Sequence, residues 1–165
     1  MPESQAASDE IFMREALNEA RKAYSKEEVP VGAVLVFKNK IIARAHNQVE
    51  LLSDATAHAE MLCLTMGSEA LGNWRLLNTV LYCTIEPCAM CAGAMFLSRI
   101  SRLVYGAKEM RHGAHGSFID LFSKNHPTHS IEVTEGVLAH SCATLLQDFF
   151  KKKRKKNEQS DDTVR

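Results

Sequence analysis

The sequence lacks the features of a membrane or secreted protein. It contains no run of about eighteen apolar residues, which a membrane-spanning helix requires, so we expect no membrane partner. Acidic residues at Glu3, Asp9 and Glu10 precede the first apolar stretch, whereas a secretory signal begins with basic residues. Its five cysteines are an odd number, which argues against a framework of disulfides. Together these absences predict a cytoplasmic protein.

Net charge and internal repeats are also absent. The 165 residues include 20 basic and 20 acidic side chains and are 45% hydrophobic, which fits one globular domain. We predict a single domain over residues 1–156 and a disordered polar tail over 157–165. Residues 151–156 are nevertheless all basic. Such segregation of charge is typical of phosphate contact, although a solvated helix end stabilised by the helix dipole would also produce it.

Two short motifs about thirty residues apart supply a set of metal ligands. The first contains His58 and Glu60, and the second contains Cys88 and Cys91 behind Pro87. Structural zinc sites use four protein ligands, whereas catalytic sites keep three and leave one position for water. A histidine and two cysteines make three ligands, and Glu60 remains as a spare carboxylate. The motifs therefore predict a catalytic site with one Zn²⁺ per chain.

The spacing within the motifs suits hydrolysis of an amine. Cys88 and Cys91 lie three residues apart, so a helix places them on one face, and Pro87 favours a helix start. Zinc lowers the pKa of its bound water from about 15.7 toward about 7. Glu60 could then move protons to a ring nitrogen and to departing ammonia. Alone, His58 would suit a protein core and the cysteines a redox or structural pair, but the combination favours a metal.

The hydrophobic pattern predicts an α/β fold. We expect helices over about 9–24, 58–66, 88–98, 117–122 and 138–156, and strands over 31–37, 41–45, 79–84 and 102–105. Gly67 is expected to end the second helix. The strand–helix–strand unit around the cysteine motif implies parallel pairing. The other cysteines are assigned to the core: Cys63, Cys83 and Cys142.

From about Asp9 to Arg154, the sequence resembles the bacterial tRNA-specific adenosine deaminases. The matching stretches are Val29–Val34, Asn47, Thr56–Glu60, Glu86–Met95, Ser98–Ile100, and Phe149–Phe150 before the basic run. The His-x-Glu and Pro-Cys-x-x-Cys cores occur across the wider cytidine-deaminase-like superfamily. The tRNA branch is indicated by Asn47, by residues 92–95 and by residues 149–151.

This resemblance implies a fold, a substrate and an assembly. The fold is a three-layer α/β/α structure with a central mixed sheet, and the enzyme is a homodimer that converts the wobble adenosine of a tRNA anticodon loop to inosine. The ligands would be His58, Cys88 and Cys91, with Glu60 as proton shuttle. Substrate contacts would come from Asn47, Glu109, Phe149, Phe150 and Lys151. The pair Lys108-Glu109 stands where the family commonly has Arg-Asp.

Other interpretations remain open. Asn47 could serve as a turn or cap residue, and the two phenylalanines could form the core side of an amphipathic helix. Adjacent helix positions diverge by about 100°, so one ring can be buried while the other is exposed for base stacking. A deaminase of a free nucleobase or nucleotide, such as guanine or deoxycytidylate, would share the zinc chemistry without needing the basic run. A zinc-stabilised RNA-binding module would not need Glu60.

Overall fold

A five-stranded sheet lies at the centre of the computed structural model, which describes residues 2–123 and 125–162. The strands are β1 (Gly32–Phe37), β2 (Lys40–His46), β3 (Thr79–Ile85), β4 (Arg102–Ala107) and β5 (Glu132–Thr134), in the order β2-β1-β3-β4-β5. β1 runs antiparallel to β2 and β3, whereas β3, β4 and β5 are parallel. The mixed sheet and the parallel strand–helix–strand unit are therefore confirmed.

Helices cover both faces of this sheet. They are α1 (Pro2–Ser25), α2 (Val49–Leu52), α3 (Ala59–Leu71), α4 (Ala89–Ser98) and α5 (Ala139–Asp162). In β1, Ala33 and Leu35 pack in the core beneath α3 and α4, whereas Val34 and Val36 pack with α1 and α5. This alternation follows from the two-residue period of a strand and confirms the three-layer architecture. Within the described ranges, no helix is long and apolar enough to cross a membrane.

The end of β3 gathers several segments at one edge of the sheet. Because β1 is antiparallel to β3, the first residue of β1 lies beside the last residues of β3. Gly32 N donates to Thr84 Oγ1 at 3.2 Å. The end of β2 reaches the same edge, where His46 pairs with Gly32. α4 begins a few residues beyond Ile85. We call this region the site edge, because parallel sheets gather functional groups where strands end and helices start.

Two local predictions were wrong. α3 continues past Gly67 to Leu71, and Gly72, with φ of 60°, ends it. Gly67 instead packs against the sheet, since a Cβ there would lie 2.3 Å from Leu35 Cδ2. The helix expected over 117–122 does not form. Ser117 uses its N–H and hydroxyl to bind a carboxylate instead, which competes with helical hydrogen bonding.

The C-terminal helix is longer than the expected 138–156. It runs to Asp162, so residues 157–162, which we expected to be disordered, are helical, and residues 163–165 lie outside the described part. Lys, Glu, Gln and Arg have high helix propensity, so a polar composition does not by itself end a helix. The short elements β5 and α2 were not predicted from the sequence. All three cysteines assigned to the core are buried: Cys63, Cys83 and Cys142.

Candidate active site

The two sequence motifs meet at the site edge. His58 Nδ1 lies 3.6 Å from Cys88 Sγ and 3.6 Å from Cys91 Sγ. The three ligand atoms lie within 4.8 Å of one another. Among the described residues, His58, Cys88 and Cys91 form the group of His, Cys, Asp or Glu side chains that could hold a metal ion. His58 is the N-cap residue of α3, and Cys88 is the N-cap residue of α4. The positive ends of both helices therefore face the cluster.

Hydrogen bonds fix the backbone on each side of His58. Asp54 Oδ1 accepts bonds from the N–H and hydroxyl of Thr56, at 2.8 and 2.7 Å. Gln48 N donates to Ala57 O at 3.0 Å, which ties the end of β2 to the start of α3. Leu62 N then donates to His58 O as the helix begins. The imidazole is thus aimed by a rigid approach to α3.

Proton sharing within the cluster indicates a site for a cation. The hydrogen bond from Cys91 lowers the pKa of Cys88 to about 4, against the opposing effect of burial and with help from His58. The same bond, together with burial, raises the pKa of Cys91, and the bond to Cys88 raises the pKa of His58. A divalent ion replaces such shared protons, since a coordinating thiol loses its proton outright. Two sulfur atoms and one imidazole nitrogen fit zinc.

Glu60 lies beside the cluster without belonging to it. Its side chain is buried in the first turn of α3, and its Oε2 atom lies 3.6 Å from Cys91 Sγ. Burial raises the pKa of this carboxyl group. An acid with a raised pKa is suited to hold and release protons near neutral pH. The residues that the sequence predicts as three ligands and a neighbouring acid thus lie together.

Asn47, directly after β2 at the site edge, carries a polar atom that could bind a ligand. Its Nδ2 donates to Val29 O at 3.3 Å, while its Oδ1 is buried and has no hydrogen-bond partner within the described ranges. Its backbone N–H donates to Val31 O at 3.0 Å. Buried acceptors normally have a partner, so an unsatisfied one calls for an explanation. A bound ligand would supply it.

The loop after β4 lies against the cysteine motif. Ala114 N donates to Pro87 O at 2.8 Å, and Gly113 forms a bridge with Cys88. Glu109 belongs to this loop, but its carboxylate accepts the backbone N–H groups of Arg111 and His112. The structure therefore places Glu109 near the site and shows its carboxylate stabilising its own turn.

Phe149 and Phe150 have different environments. Phe149 is buried, and its ring meets Tyr24 edge-on at 5.7 Å between centroids, which makes it part of the core between α1 and α5. The buried ring favours the core alternative for Phe149, and its stacking role stays a prediction. Phe150 is 42% exposed and is the ring that can meet a base.

The basic run of α5 divides into two faces. On one face, Lys156 pairs with Glu27 at 2.5 Å, Lys152 lies 3.9 Å from Asp148, and Lys153 lies over the ring of Phe149. The opposite face carries three exposed cations that make no ion pair within the described ranges: Lys151, Arg154 and Lys155. Since Glu27 precedes β1, the inward face attaches this helix to the site edge. The outward face is free for other anions.

Sequence reasoning missed two buried acids at this edge. Glu28 accepts the backbone N–H groups of Glu50 and Leu51, which fixes the start of α2. Glu86, directly after β3, accepts hydrogen bonds from the loop after β4. The feature of the sequence that could have indicated them is an acidic residue directly beside a predicted buried segment, because such a group must find hydrogen-bond donors.

The fold and the site together define a class. A mixed α/β/α sheet with His, Cys and Cys at two helix starts, and an acid beside them, is the arrangement of the zinc deaminases. The sequence model of the family "Cytidine and deoxycytidylate deaminase zinc-binding region" matches residues 6–107. The chain belongs to this family, and within it to the group that contains the tRNA-specific adenosine deaminases.

Individual relatives support this placement. The chain is 47% identical over 150 residues to the tRNA-specific adenosine deaminase of Bacillus subtilis, covering 91% of this chain and 93% of that protein. It is 51% identical over 158 residues to the chloroplastic tRNA(adenine(34)) deaminase of Arabidopsis thaliana, covering 86% of this chain but only 12% of the plant protein. A structure solved in a study of A-to-I editing by tRNA:A34 deaminases is 45% identical, with a TM-score of 0.79, and the match covers 82% of this chain and 98% of that one.

Proposed function

We propose that this protein is a zinc-dependent deaminase that hydrolyses the wobble adenosine of a tRNA anticodon loop to inosine. The observation that carries the proposal is the convergence of His58, Cys88 and Cys91, with the buried carboxyl group of Glu60 beside them. The names of the relatives, tRNA-specific adenosine deaminases, support the choice of substrate. The reaction consumes one water and releases one ammonia.

The three ligands would hold one Zn²⁺ per chain, which would supply a nucleophilic water at neutral pH. Glu60 would accept a proton from that water at its carboxylate and deliver it to the purine ring. The same carboxylate would then take the second proton of that water, from the hydroxyl group now bonded to the purine carbon, and pass it to the departing amine, which leaves as ammonia, as one residue can serve successive transfers. Burial of Glu60 keeps bulk water from competing for this proton.

Asn47 would orient the base. One hydrogen of its amide is used by Val29 O, which leaves Oδ1 and the second amide hydrogen for a ligand. An asparagine amide can bond both N6 and N7 of adenine, with the oxygen accepting from N6. The base must leave its stack to reach this position, which costs least in a single-stranded loop. An anticodon loop meets that condition.

Contacts outside the pocket would come from two segments. Glu109 lies in the loop beside Cys88 and would meet the nucleotide next to the target. Phe150 would stack on a loop base, and Lys151 would contact phosphate, because both are exposed on α5. A deaminase of a free base would have no use for this exposed, basic helix face.

We also propose that the protein acts as a cytoplasmic homodimer. Large apolar side chains on and near α4 are exposed, including Leu97 at 67% and Phe118 at 70%. Exposed apolar clusters often mark protein interfaces. Light scattering on purified protein should give twice the chain mass, and a monomer at micromolar concentration would contradict this assembly.

The decisive test is deamination of an anticodon stem-loop with adenosine at the wobble position. Inosine should appear in that stem-loop, whereas free adenosine, cytidine and guanine should be poor substrates. A matched stem-loop with the adenosine moved one position away should also react slowly. If guanine or a free nucleotide is turned over and the stem-loop is not, the protein is a free-base or nucleotide deaminase instead.

A further inference from the structure

The proposed chemistry makes no use of one buried charged group at the site edge, the carboxylate of Glu86. This residue directly follows β3, lies two positions before Cys88 and is 1% exposed. Its carboxyl oxygens accept hydrogen bonds from Ser117, His115 and Glu109. No Lys, Arg or His within the described ranges forms an ion pair with it.

Within the described part of the chain, the side-chain hydrogen bonds of Glu86 all come from a single loop, residues 109–117. Oε1 accepts from Glu109 N at 3.2 Å and from the hydroxyl of Ser117 at 2.5 Å. Oε2 accepts from His115 N at 2.8 Å and from Ser117 N at 3.3 Å. Backbone N–H groups that converge in this way form a concave anion site, and here the anion is supplied by the protein itself.

The loop closes so tightly on the carboxylate that a side chain is excluded at Gly113. A Cβ at this position would lie 2.3 Å from Glu86 Cδ and Oε2. The next residue, Ala114, donates its N–H to Pro87 O at 2.8 Å. The loop is thus attached to the two residues that directly precede the ligand Cys88. If the loop moved away, the buried carboxyl oxygens of Glu86 would lose the donors that compensate their burial.

We propose that Glu86 is a positioning residue that holds loop 109–117 in the conformation that receives RNA at the rim of the zinc site. This inference rests on the proposed function, because it assigns the loop a nucleic-acid substrate. The loop presents Met110, which is 71% exposed, together with exposed Arg111 and His112. Glu86 touches neither these side chains nor the reacting atoms, so it acts through the loop backbone and the Ser117 hydroxyl.

We call the hydrogen bonds between Glu86 and loop 109–117 the tether. Two substitutions test it, one in Glu86 and one in the loop. Glu86→Gln keeps the size of the side chain, but its amide nitrogen must face N–H donors that need an acceptor. Gly113→Ala leaves the carboxylate intact and pushes the loop away from it. Loss of hydrogen bonds to a buried charge corresponds to about a ten- to hundredfold effect, which should appear as a higher KM for the stem-loop. The zinc content and kcat should stay near those of the original protein, and the double variant should add little.

Hydrogen exchange supplies a readout that needs no substrate. Amides of residues 109–117 should exchange faster in both variants, while those of α3 and β1 keep their protection. Asp9→Asn is the matched control, because Asp9 is a buried acid bonded to Arg102 at 2.6 Å on the opposite face of the sheet. This control should lower the melting temperature and leave both loop exchange and KM unchanged.

The possible outcomes separate the two proposals. Original exchange in loop 109–117 together with original KM in Glu86→Gln would overturn the positioning role. An equal rise in KM in Asp9→Asn would also overturn it, since general destabilisation would then explain the effect. If the original protein fails to deaminate the stem-loop, the proposed function falls, while faster loop exchange in Glu86→Gln would still establish the tether without its RNA role.

Discussion

The zinc cluster and the basic face of α5 are built in opposite ways. Around the cluster, Glu60 and Cys91 are buried, and the chain is fixed by hydrogen bonds on both sides of His58. On α5, Phe150 and three cations are exposed, and the cations make no ion pair within the described ranges: Lys151, Arg154 and Lys155. Chemistry that moves protons needs a shielded, preorganised site, whereas contact with a flexible polyanion needs exposed charge. Substitutions in the first region should therefore affect turnover, and those in the second should affect binding.

The largest effect should come from replacing the zinc ligands. Cys88→Ala or Cys91→Ala should lose zinc and all measurable deamination, and should also unfold at a lower temperature because metal binding contributes to folding. Elemental analysis and thermal melting measure both effects. Cys142→Ala is the matched control, since this buried cysteine lies on the other face of the sheet and should retain zinc. Full zinc content in both ligand variants would refute the assignment.

Glu60→Ala should separate metal binding from proton transfer. We expect an unchanged zinc content and a fall in single-turnover rate of about 10²–10⁴-fold, because general acid–base catalysis contributes on that scale. Stem-loop affinity should change little. Glu69→Ala, on the exposed part of the same helix, should leave the rate as it was. A rapid reaction in zinc-loaded Glu60→Ala would place the proton shuttle on another residue.

The same contrast explains what the sequence could predict. The cluster was predictable because short motifs at two helix starts specify the metal ligands, and local backbone geometry then fixes their positions. Glu86 was not predictable, since its role arises from a loop more than twenty residues later that folds back onto it. The helix expected over 117–122 failed for the same reason: Ser117 bonds that distant carboxylate rather than its own turn.

On α5 the pattern predicted the helix but not its orientation. Periodicity allowed one of the two adjacent rings to be buried, and the packing of α1 selects Phe149 for that position. The polar composition of residues 157–162 predicted disorder, but these residues extend the helix to Asp162. Contacts such as Lys156 with Glu27 join residues far apart in the chain, and local propensity contains no information about them.

The two faces of the basic run allow a charge-matched test. Replacing Lys151, Arg154 and Lys155 with alanine should reduce the slope of log K against log salt by about 0.7–0.9 for each phosphate that these side chains neutralise. Removing three such interactions would weaken binding by about a hundredfold at 0.1 M salt. Titrations of the stem-loop at several salt concentrations measure both quantities, and the zinc content should not change.

The control removes the same number of charges from the inward face. Lys152, Lys153 and Lys156 are engaged with Asp148, Phe149 and Glu27, so replacing them should change the slope much less. Because Lys152 also lies over the Tyr24 ring of α1, and Lys156 pairs with Glu27 between α1 and β1, the control should unfold at a slightly lower temperature. Equal slopes for both triple variants would mean that binding depends on net charge alone and that the outward face has no special role.

The smallest expected effect separates the two adjacent rings. Phe150→Ala should weaken stem-loop binding about five- to tenfold, near the lower end of the 1–3 kcal/mol typical of base stacking, because only one partly exposed ring is removed. The salt slope and the melting temperature should both stay constant, since a neutral exposed ring contributes to neither. Phe149→Ala should instead cost about 3–5 kcal/mol of folding stability, because its ring fills the core beside Tyr24. If Phe149→Ala weakens binding at an unchanged melting temperature, the inward ring must turn outward to meet RNA, and the division of α5 into a packing face and a binding face would be wrong.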